Sequence, residues 1–199
     1  GGDDGARFGY AVSLQDGRLA VGAPGHDVEG DQNRGAVCVY DLAEGVWEFQ
    51  ETLLSAGEFD GLGAVLCLNG DGLFAGGTSS EDSILLFANA GGVWSEATIL
   101  SRPSGPNAGY WWSVSDMEVF GGLLAVSTAN RGLFFYAEQP DGSWSCQASE
   151  DVVEPRGGVV GPMSVDGQTL VVGLRQVLRY DWESRHIASG WRLVGGVPT

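Results

Sequence analysis

The sequence predicts an all-β protein of short antiparallel strands, with almost no helix. Short apolar runs separated by turn residues fill the chain, as between Phe8 and Leu53, and this pattern is typical of hairpins. The pair Asp16-Gly17 lies between two such runs, and glycine readily adopts the positive φ that primed turns require. Helical periodicity is missing throughout. The 33 glycines follow no collagen-like period and suit a fold with many tight turns.

Three series of residues recur in phase with a period near 49 residues, which indicates an internal repeat. The recurring residues are Trp47, Trp94, Trp144 and Trp191; Tyr40, Phe87, Tyr136 and Tyr180; and Leu19, Leu73, Leu124 and Leu170. Four-stranded units at such a period are typical of β-propeller blades. The sequence therefore predicts a propeller, or part of one, with four four-stranded antiparallel blades at approximately residues 3–54, 55–101, 102–150 and 151–199.

The apolar runs also place strands within the repeats. In the first repeat, which is the best preserved, we expect strands at Phe8–Leu14, Leu19–Ala23, Ala36–Leu42 and Trp47–Leu53. The third repeat carries a two-residue insertion near Trp112–Val119, which indicates a β-bulge. In the fourth repeat the last strand is expected at Trp191–Val194. Many runs are apolar without a break, as in strands buried on both faces by neighbouring sheets.

The first repeat resembles an FG-GAP repeat, the blade type of integrin-α-like propellers and of many bacterial and protist surface proteins. Phe8-Gly9 matches the FG element, Gly22-Ala23-Pro24 matches the GAP element, and Gly35-Ala36-Val37 with Tyr40 matches the third-strand pattern. The later repeats keep only parts of it, namely Leu62-Gly63, Gly76-Gly77-Thr78, Ser127-Thr128 and Gly173. The resemblance implies a β-propeller, usually of seven blades, with a role in extracellular recognition or adhesion.

The repeat count departs from that family, because four blades are found and not seven. Three arrangements remain open: the chain is part of a larger propeller, it closes alone as a four-bladed propeller, or two chains pair to complete a larger ring. All four blades lie within the chain, so there is no sign of a strand exchanged between the first and last blades. Unless something covers them, the two end blades therefore expose large apolar faces.

The composition excludes some partners. Asp and Glu number 26 against 10 basic residues, a net charge of −16, and such a surface repels nucleic acid. No apolar run is long enough to span a membrane. Cys38, Cys67 and Cys146 match no zinc pattern, and the first two lie within apolar runs and are expected to be small core residues. Their disulfide state is open.

One acidic loop is a candidate metal site. Integrin-type repeats often bind calcium between their first and second strands, but that connection is too short here in every repeat. Between the second and third strands of the first repeat, Asp27, Glu29 and Asp31 alternate around Gly30, and oxygen ligands with this spacing can surround Ca²⁺. The alternative is a solvated acidic loop without metal. No other cofactor is expected.

Candidate binding residues are few. His26 begins the acidic loop and is a candidate for ligand binding. The cluster Tyr110, Trp111 and Trp112 adjoins a loop rich in Gly and Pro, where exposed aromatics could stack on a sugar or contact a protein. The alternative is that the cluster fills a junction between blades. No nucleophile–base pattern is found near His26 or His186, which are the two histidines of the chain, and we expect no enzyme.

Taken together, these features predict a non-catalytic interaction or adhesion scaffold in an extracellular or cell-surface setting. It is expected to bind another protein through its propeller loops, or to associate with itself. Two alternatives stay open. One is a carbohydrate-binding propeller that uses the aromatic cluster, and the other is a structural subunit of a larger assembly.

Overall fold

The computed structural model describes residues 5–56, 61–77, 84–100, 114–120, 122–128, 132–151, 160–166, 169–174 and 189–192. Within these ranges every regular element is a β-strand and no helix occurs, so the predicted all-β class is confirmed. The chain divides into two compact units, residues 1–101 and 102–199. Each unit contains two antiparallel sheets, and each is described by itself.

The first unit contains sheets 1 and 2, each with four strands in sequence order. Sheet 1 consists of β1 (Val12–Gln15), β2 (Arg18–Ala23), β3 (Ala36–Ala43) and β4 (Val46–Leu53). Sheet 2 consists of β5 (Val65–Asn69), β6 (Gly72–Gly76), β7 (Ile84–Ala90) and β8 (Val93–Leu100). This sequential order is the meander expected of a propeller blade.

The second unit contains sheets 3 and 4. Sheet 3 consists of β9 (Val114–Phe120), β10 (Leu123–Thr128), β11 (Gly132–Glu138) and β12 (Trp144–Asp151). Sheet 4 has three described strands, β13 (Val160–Asp166), β14 (Thr169–Leu174) and β15 (Ser189–Arg192). Because β15 pairs directly with β14, with Leu170 opposite Trp191, Trp191 lies on the third strand of this sheet. The prediction that Trp191 begins a fourth strand is therefore wrong.

The first strand begins later than expected, at Val12 instead of Phe8. Arg7 and Gly9 have φ values of 54° and 86°, which bend the preceding segment out of strand geometry. The backbone N–H groups of Gly9 and Tyr10 both donate to the carbonyl of Gly22, at 2.9 and 3.3 Å. The FG element is thus a turn that binds the start of the GAP element. Sheet 2 repeats this contact, since Gly63 and Ala64 donate to Gly76.

The fourth strands of sheets 1, 2 and 3 share a bulge that the sequence did not reveal. In the pairing of β3 with β4, the register shifts so that Gln50 has no direct partner. The same shift leaves out Ala97 in sheet 2 and Gln147 in sheet 3, each three residues after the repeated tryptophan. A bulge increases twist and interrupts a strand edge, which protects it from pairing with other chains. The bulge predicted in the first strand of the third repeat is also present, because the pairing of β9 with β10 skips Ser115.

Within each unit the two sheets stack face to face. We call the face that carries Leu19, Leu73, Leu124 or Leu170 the front face of its sheet, and the opposite face the back face. In the first unit, the front face of sheet 2 packs on the back face of sheet 1 in a core that includes Val39, Leu73 and Phe87. In the second unit, the front face of sheet 4 packs on the back face of sheet 3 through Phe135, Met163 and Val172.

Glycines permit the closest approach between sheets 1 and 2. A Cβ atom at Gly22 would collide with the carbonyl group of Gly63, and one at Gly35 would collide with the backbone of Leu62. Gly63 itself has a φ of 92°, a conformation that favours glycine. The glycine of the GAP element in the first repeat, Gly22, therefore packs against Gly63, which occupies the FG glycine position of the second repeat. This contact explains why the motif needs glycine at both positions.

We expect Gly22→Ala to destabilise the first unit by about 2–3 kcal/mol, because the new methyl group overpacks a contact between two backbones. Urea unfolding monitored by tryptophan fluorescence measures the change. Gly5→Ala is the matched control, since a Cβ atom there meets nothing within 4 Å. Equal stabilities of the two variants would contradict this account of the junction.

Candidate functional site

Side chains of sheet 1 accept hydrogen bonds from the edge strand of sheet 2 and the turn after it. Strand β5 is an edge strand, so the outward N–H groups along its edge lack partners within the sheet. The hydroxyl of Ser13 accepts a hydrogen bond from the N–H of Leu68 at 3.0 Å, and the amide oxygen of Gln15 accepts one from Gly70 at 2.7 Å. These contacts satisfy backbone donors that would otherwise be lost on burial. They also fix the position of sheet 2 relative to sheet 1.

Arg18 extends this junction to the turns. Its Nε atom donates to the carboxylate of Asp41 at 3.0 Å, and its Nη1 atom donates to the carbonyl of Gly70 at 3.3 Å. The carboxylate of Asp71 lies 3.5 Å from the same Nη1 atom, and the guanidinium lies over the ring of Trp94 at 5.1 Å. A cation over an indole face gains electrostatic attraction in addition to packing. The repeated tryptophan of sheet 2 thus contacts the neighbouring sheet.

The turns at this end border a cleft of about 380 Å³. It is lined by Gln15, Asp16, Gly17, Arg18, Asp41, Leu42, Gly70 and Asp71. Its one cation, Arg18, already contacts two carboxylates, so the cleft offers no free positive charge to an anion. We interpret this arrangement as a structural joint between the two sheets.

The acidic loop lies at the opposite end of sheet 1. Glu29 and Gly30 have φ values of 52° and 98°, and the N–H and C=O groups of Val28 and Asp31 bond reciprocally at about 3 Å. The loop is therefore a small hairpin. Asp27 accepts a hydrogen bond from the backbone N–H of Asn33 at 2.9 Å. Internal contacts hold the loop in one shape, while its acidic side chains face solvent.

The geometry does not support the predicted calcium site. Asp27 is engaged by the backbone of Asn33, and Asp31 pairs with Arg34 at 3.2 Å. Across the described residues, no group of three or more His, Cys, Asp or Glu side chains is placed to hold a metal ion. In the sequence, Asp27, Glu29 and Asp31 alternate as ligands around one ion would. The hairpin instead uses two of the three carboxylates for contacts within itself.

Of the other predicted binding residues, the structure describes His26 but not the aromatic cluster. His26 is half-buried at the base of the loop, where its backbone N–H donates to Ala23 and its carbonyl accepts from Gly35. Its role in binding stays a prediction. The aromatic cluster 110–112 lies outside the described residues. Of the two cysteines expected in the core, Cys67 is buried whereas Cys38 is half-buried.

The front face of sheet 1 carries an apolar surface that the sequence analysis did not identify. We call it the open face, and its exposed members are Phe8, Val12, Leu14, Leu42, Trp47 and Phe49. Val12 and Leu14 are 64% and 65% exposed, although their strand is paired within a sheet. Phe49 packs edge-on against Tyr40, with ring centroids 5.6 Å apart. Apolar residues on both sides of Ser13 were the available signal.

A pair of carboxyl groups lies at the corresponding junction in the second unit. Asp116 on β9 accepts hydrogen bonds from the backbone N–H groups of Met163 and Met117. Burial raises the pKa of Asp116, and these hydrogen bonds offset part of that rise. Burial, together with the charge of Asp116, raises the pKa of Glu118 on the same face. An Asp here makes the same kind of edge contact that Ser13 makes in the first unit.

Residues 1–40 match the family model described as FG-GAP repeat, which confirms the resemblance for the first repeat. The search among curated proteins found no match. Among the part of the chain that the structure describes, no helix is long and apolar enough to cross a membrane.

Many solved structures align with this chain, and the following three share little sequence identity with it. The computationally designed Ika4 protein aligns with 97% of this chain and 94% of its own, at 10% identity and a TM-score of 0.58. Sqt1 from Saccharomyces cerevisiae aligns at 13% identity and a TM-score of 0.54, with 86% of this chain and 45% of its own. The β-propeller domain of Swd1 from Myceliophteria thermophila aligns at 15% identity and a TM-score of 0.56, with 84% of this chain and 49% of its own. These likenesses show the fold alone.

Arg18→Ala should destabilise the first unit by about 1–2 kcal/mol, because it removes the bond to Gly70, a partly exposed ion pair and the contact with Trp94. Chemical unfolding measures the change. Arg7→Ala serves as the control, since Arg7 is exposed. A loss no larger than that of the control would show that Arg18 does not join the sheets.

Asp116→Asn should remove part of the pH dependence of stability. A carboxyl group with a folded-state pKa raised above 3.8 favours folding when protonated, so this stability is lost as pH rises through the raised pKa. The wild type should therefore lose stability through this group as pH rises from the ordinary carboxyl pKa of 3.8 to the raised pKa of Asp116, and the variant should lose less. The new amide oxygen can still accept from Met163.

Urea unfolding at several pH values gives the comparison. Asp141→Asn is the control of opposite sign, because hydrogen bonds from Ser143 lower the pKa of exposed Asp141. Its contribution is present above the ordinary pKa and is lost as pH falls. An unchanged pH profile in Asp116→Asn would refute the assignment.

Proposed function

We propose that this chain is a non-catalytic protein-binding scaffold in an extracellular or cell-surface setting. In this proposal the four sheets are four consecutive blades of a β-propeller, and loops at the ends of the sheets bind the partner. The FG-GAP repeat over residues 1–40 and the propeller structures that align with the chain support it. The chain spans less than half the length of the Sqt1 and Swd1 structures.

The observation that carries the proposal is the shape of the acidic loop. Three carboxylates, Asp27, Glu29 and Asp31, are exposed on a hairpin fixed by its own backbone hydrogen bonds. A fixed loop loses little conformational entropy when a partner binds. Its charge matches the strongly acidic chain and favours a protein surface rich in Lys or Arg, because complementary charge steers association.

Of the alternatives, the structural-subunit role is favoured by a specific observation, the open face of sheet 1. A surface of that kind suits permanent contact with another sheet. The carbohydrate-binding role depends on Tyr110, Trp111 and Trp112, which lie outside the described residues, and it stays a prediction.

Photo-crosslinking provides the test. A photoreactive residue is placed at Glu29 in one variant and at Glu44 in another, and each is irradiated with proteins of the source organism. The two positions are closely matched: each is an exposed Glu with φ near 50° followed by a glycine with positive φ, in tight turns at opposite ends of sheet 1. We expect a protein adduct at Glu29 and none at Glu44.

Competition makes the test specific. Unlabelled wild-type chain should abolish the adduct, while the triple variant Asp27→Asn, Glu29→Gln, Asp31→Asn should compete poorly because it has lost the loop charge. In that variant, residue 27 keeps an oxygen that can accept from Asn33. Equal labelling at both positions, or no protein adduct at Glu29, would refute the loop as the binding element.

A further inference from the structure

The turn between β5 and β6 contains the single Asn-Gly pair of the sequence, Asn69-Gly70. Asn69 ends β5 opposite Gly72, and Gly70 follows it in the turn with a φ of 58°. Asn69 is half-buried and Gly70 is exposed, so water and hydroxide can reach the peptide bond that joins them. Because glycine has no Cβ atom, no side chain shields the nitrogen of Gly70. This asparagine is therefore placed to react with the backbone of its neighbour.

The reaction open to such a pair is deamidation, which consumes only water. The deprotonated backbone nitrogen of Gly70 attacks the side-chain carbonyl carbon of Asn69, and the new C–N bond closes a succinimide ring. The bond from that carbon to the side-chain nitrogen breaks, and the nitrogen takes up a proton from water and leaves as ammonia. A water molecule then opens the ring at either carbonyl, which gives aspartate or isoaspartate at residue 69.

Two side chains of sheet 1 hold this peptide. The amide oxygen of Gln15 accepts a hydrogen bond from the N–H of Gly70 at 2.7 Å, and Arg18 donates to the carbonyl of Gly70 at 3.3 Å. The bond to Gln15 stabilises the protonated form of the nitrogen that must lose its proton before it attacks. The bond from Arg18 holds Gly70 on its other side. Both contacts thus oppose the first step of the reaction.

Strand geometry opposes ring closure as well. β5 pairs with β6 from Val65 to Asn69, so Asn69 has the extended backbone of an antiparallel strand. Closure requires rotation about the Cα–C bond of Asn69, which brings the Gly70 nitrogen to the side-chain carbonyl and breaks the bond to Gln15. Asn89 differs on both counts, since its side-chain oxygen accepts from Gly92 at 3.0 Å and alanine follows it.

We propose that Asn69 is a deamidation site guarded by Gln15 of the neighbouring sheet. While Gln15 holds the N–H of Gly70, the asparagine persists; when the turn moves away from sheet 1, residue 69 converts. The loss of ammonia makes the change irreversible, and isoaspartate lengthens the main chain by a methylene group at the end of β5. The residue thus records opening of this turn over the life of the molecule. This inference goes beyond the proposed binding role and does not depend on the acidic loop.

Peptide mapping by mass spectrometry tests the proposal on the full chain during incubation at mildly alkaline pH. Conversion raises the mass of the peptide that contains residue 69 by the difference between an amide and an acid, and chromatography separates its aspartate and isoaspartate forms. Gln15→Leu removes the acceptor with little change in side-chain size. It should speed conversion about fivefold, because loss of one hydrogen bond of ordinary strength makes local opening that much more frequent.

Ser13→Ala is the matched control. It removes the neighbouring acceptor, which binds the N–H of Leu68 at 3.0 Å on the same edge, but the Leu68 nitrogen takes no part in the reaction. We expect a clearly smaller increase in rate than in Gln15→Leu. Circular dichroism and tryptophan fluorescence establish that both variants are folded. Wild-type chain incubated in urea gives the rate of the unguarded pair, and it should be the fastest of the four samples.

Each outcome decides the proposal. It is supported if Gln15→Leu converts faster than both the wild type and Ser13→Ala, and if the folded wild type converts more slowly than the chain in urea. A rate in Gln15→Leu no higher than that of the wild type overturns the guarding role. Equal acceleration in the two variants also overturns it, because conversion would then follow general loosening of the junction. Folded wild type that reacts as fast as the chain in urea, or no conversion even in urea, overturns it as well.

Discussion

The structure depends on how each exposed sheet edge finds hydrogen-bond partners. A four-stranded sheet in sequence order has an innermost strand with unpaired N–H groups on one side. In the first unit Ser13 and Gln15 accept hydrogen bonds from that edge of sheet 2, and in the second unit Asp116 accepts one from β13. Apolar packing between sheet faces is not directional, whereas these bonds set the position of one sheet on the next.

Different side chains perform this one task, and each has its own cost. A hydroxyl or an amide accepts a hydrogen bond without charge, so burial of Ser13 and Gln15 needs no ionised group. A carboxylate such as Asp116 binds more strongly but resists burial, and its raised pKa records that resistance. The two units therefore use the same geometry with groups of different charge. This difference also shows how repeats can diverge in sequence while keeping one mode of stacking.

The same mode of stacking relates structure to function. Because the front face of one sheet packs on the back face of the other within each unit, sheet 1 has no neighbour from its own unit on its front face. The open face of sheet 1 is that surface. The acidic loop is a second kind of surface, since it is polar, fixed and built from a single repeat. One small sheet thus carries both an apolar and a polar surface.

The sequence by itself determined the class of fold and, to within a residue, the boundaries of the second, third and fourth strands of the first repeat. Leu19, Tyr40 and Trp47 recur at equivalent positions in sheets 1 to 3, and the turn at Asp16-Gly17 has the positive φ values expected, 49° and 78°. These features are local: they follow from alternation, turn chemistry and repeat length, so they can be predicted without knowing what packs where. The match of residues 1–40 to the FG-GAP repeat is local in the same sense.

Only the tertiary structure decided which apolar residues are buried and which polar residues meet. Val12 and Leu66 look alike in sequence, but one is exposed and the other buried, because burial depends on the neighbouring sheet. The network around Arg18 joins residues more than 50 positions apart, and no short motif marks it. Asp27 and Asp31 alternate like metal ligands, yet the hairpin directs them to Asn33 and Arg34. Contacts between distant segments and the direction of each side chain are set by stacking, which strand periodicity does not encode.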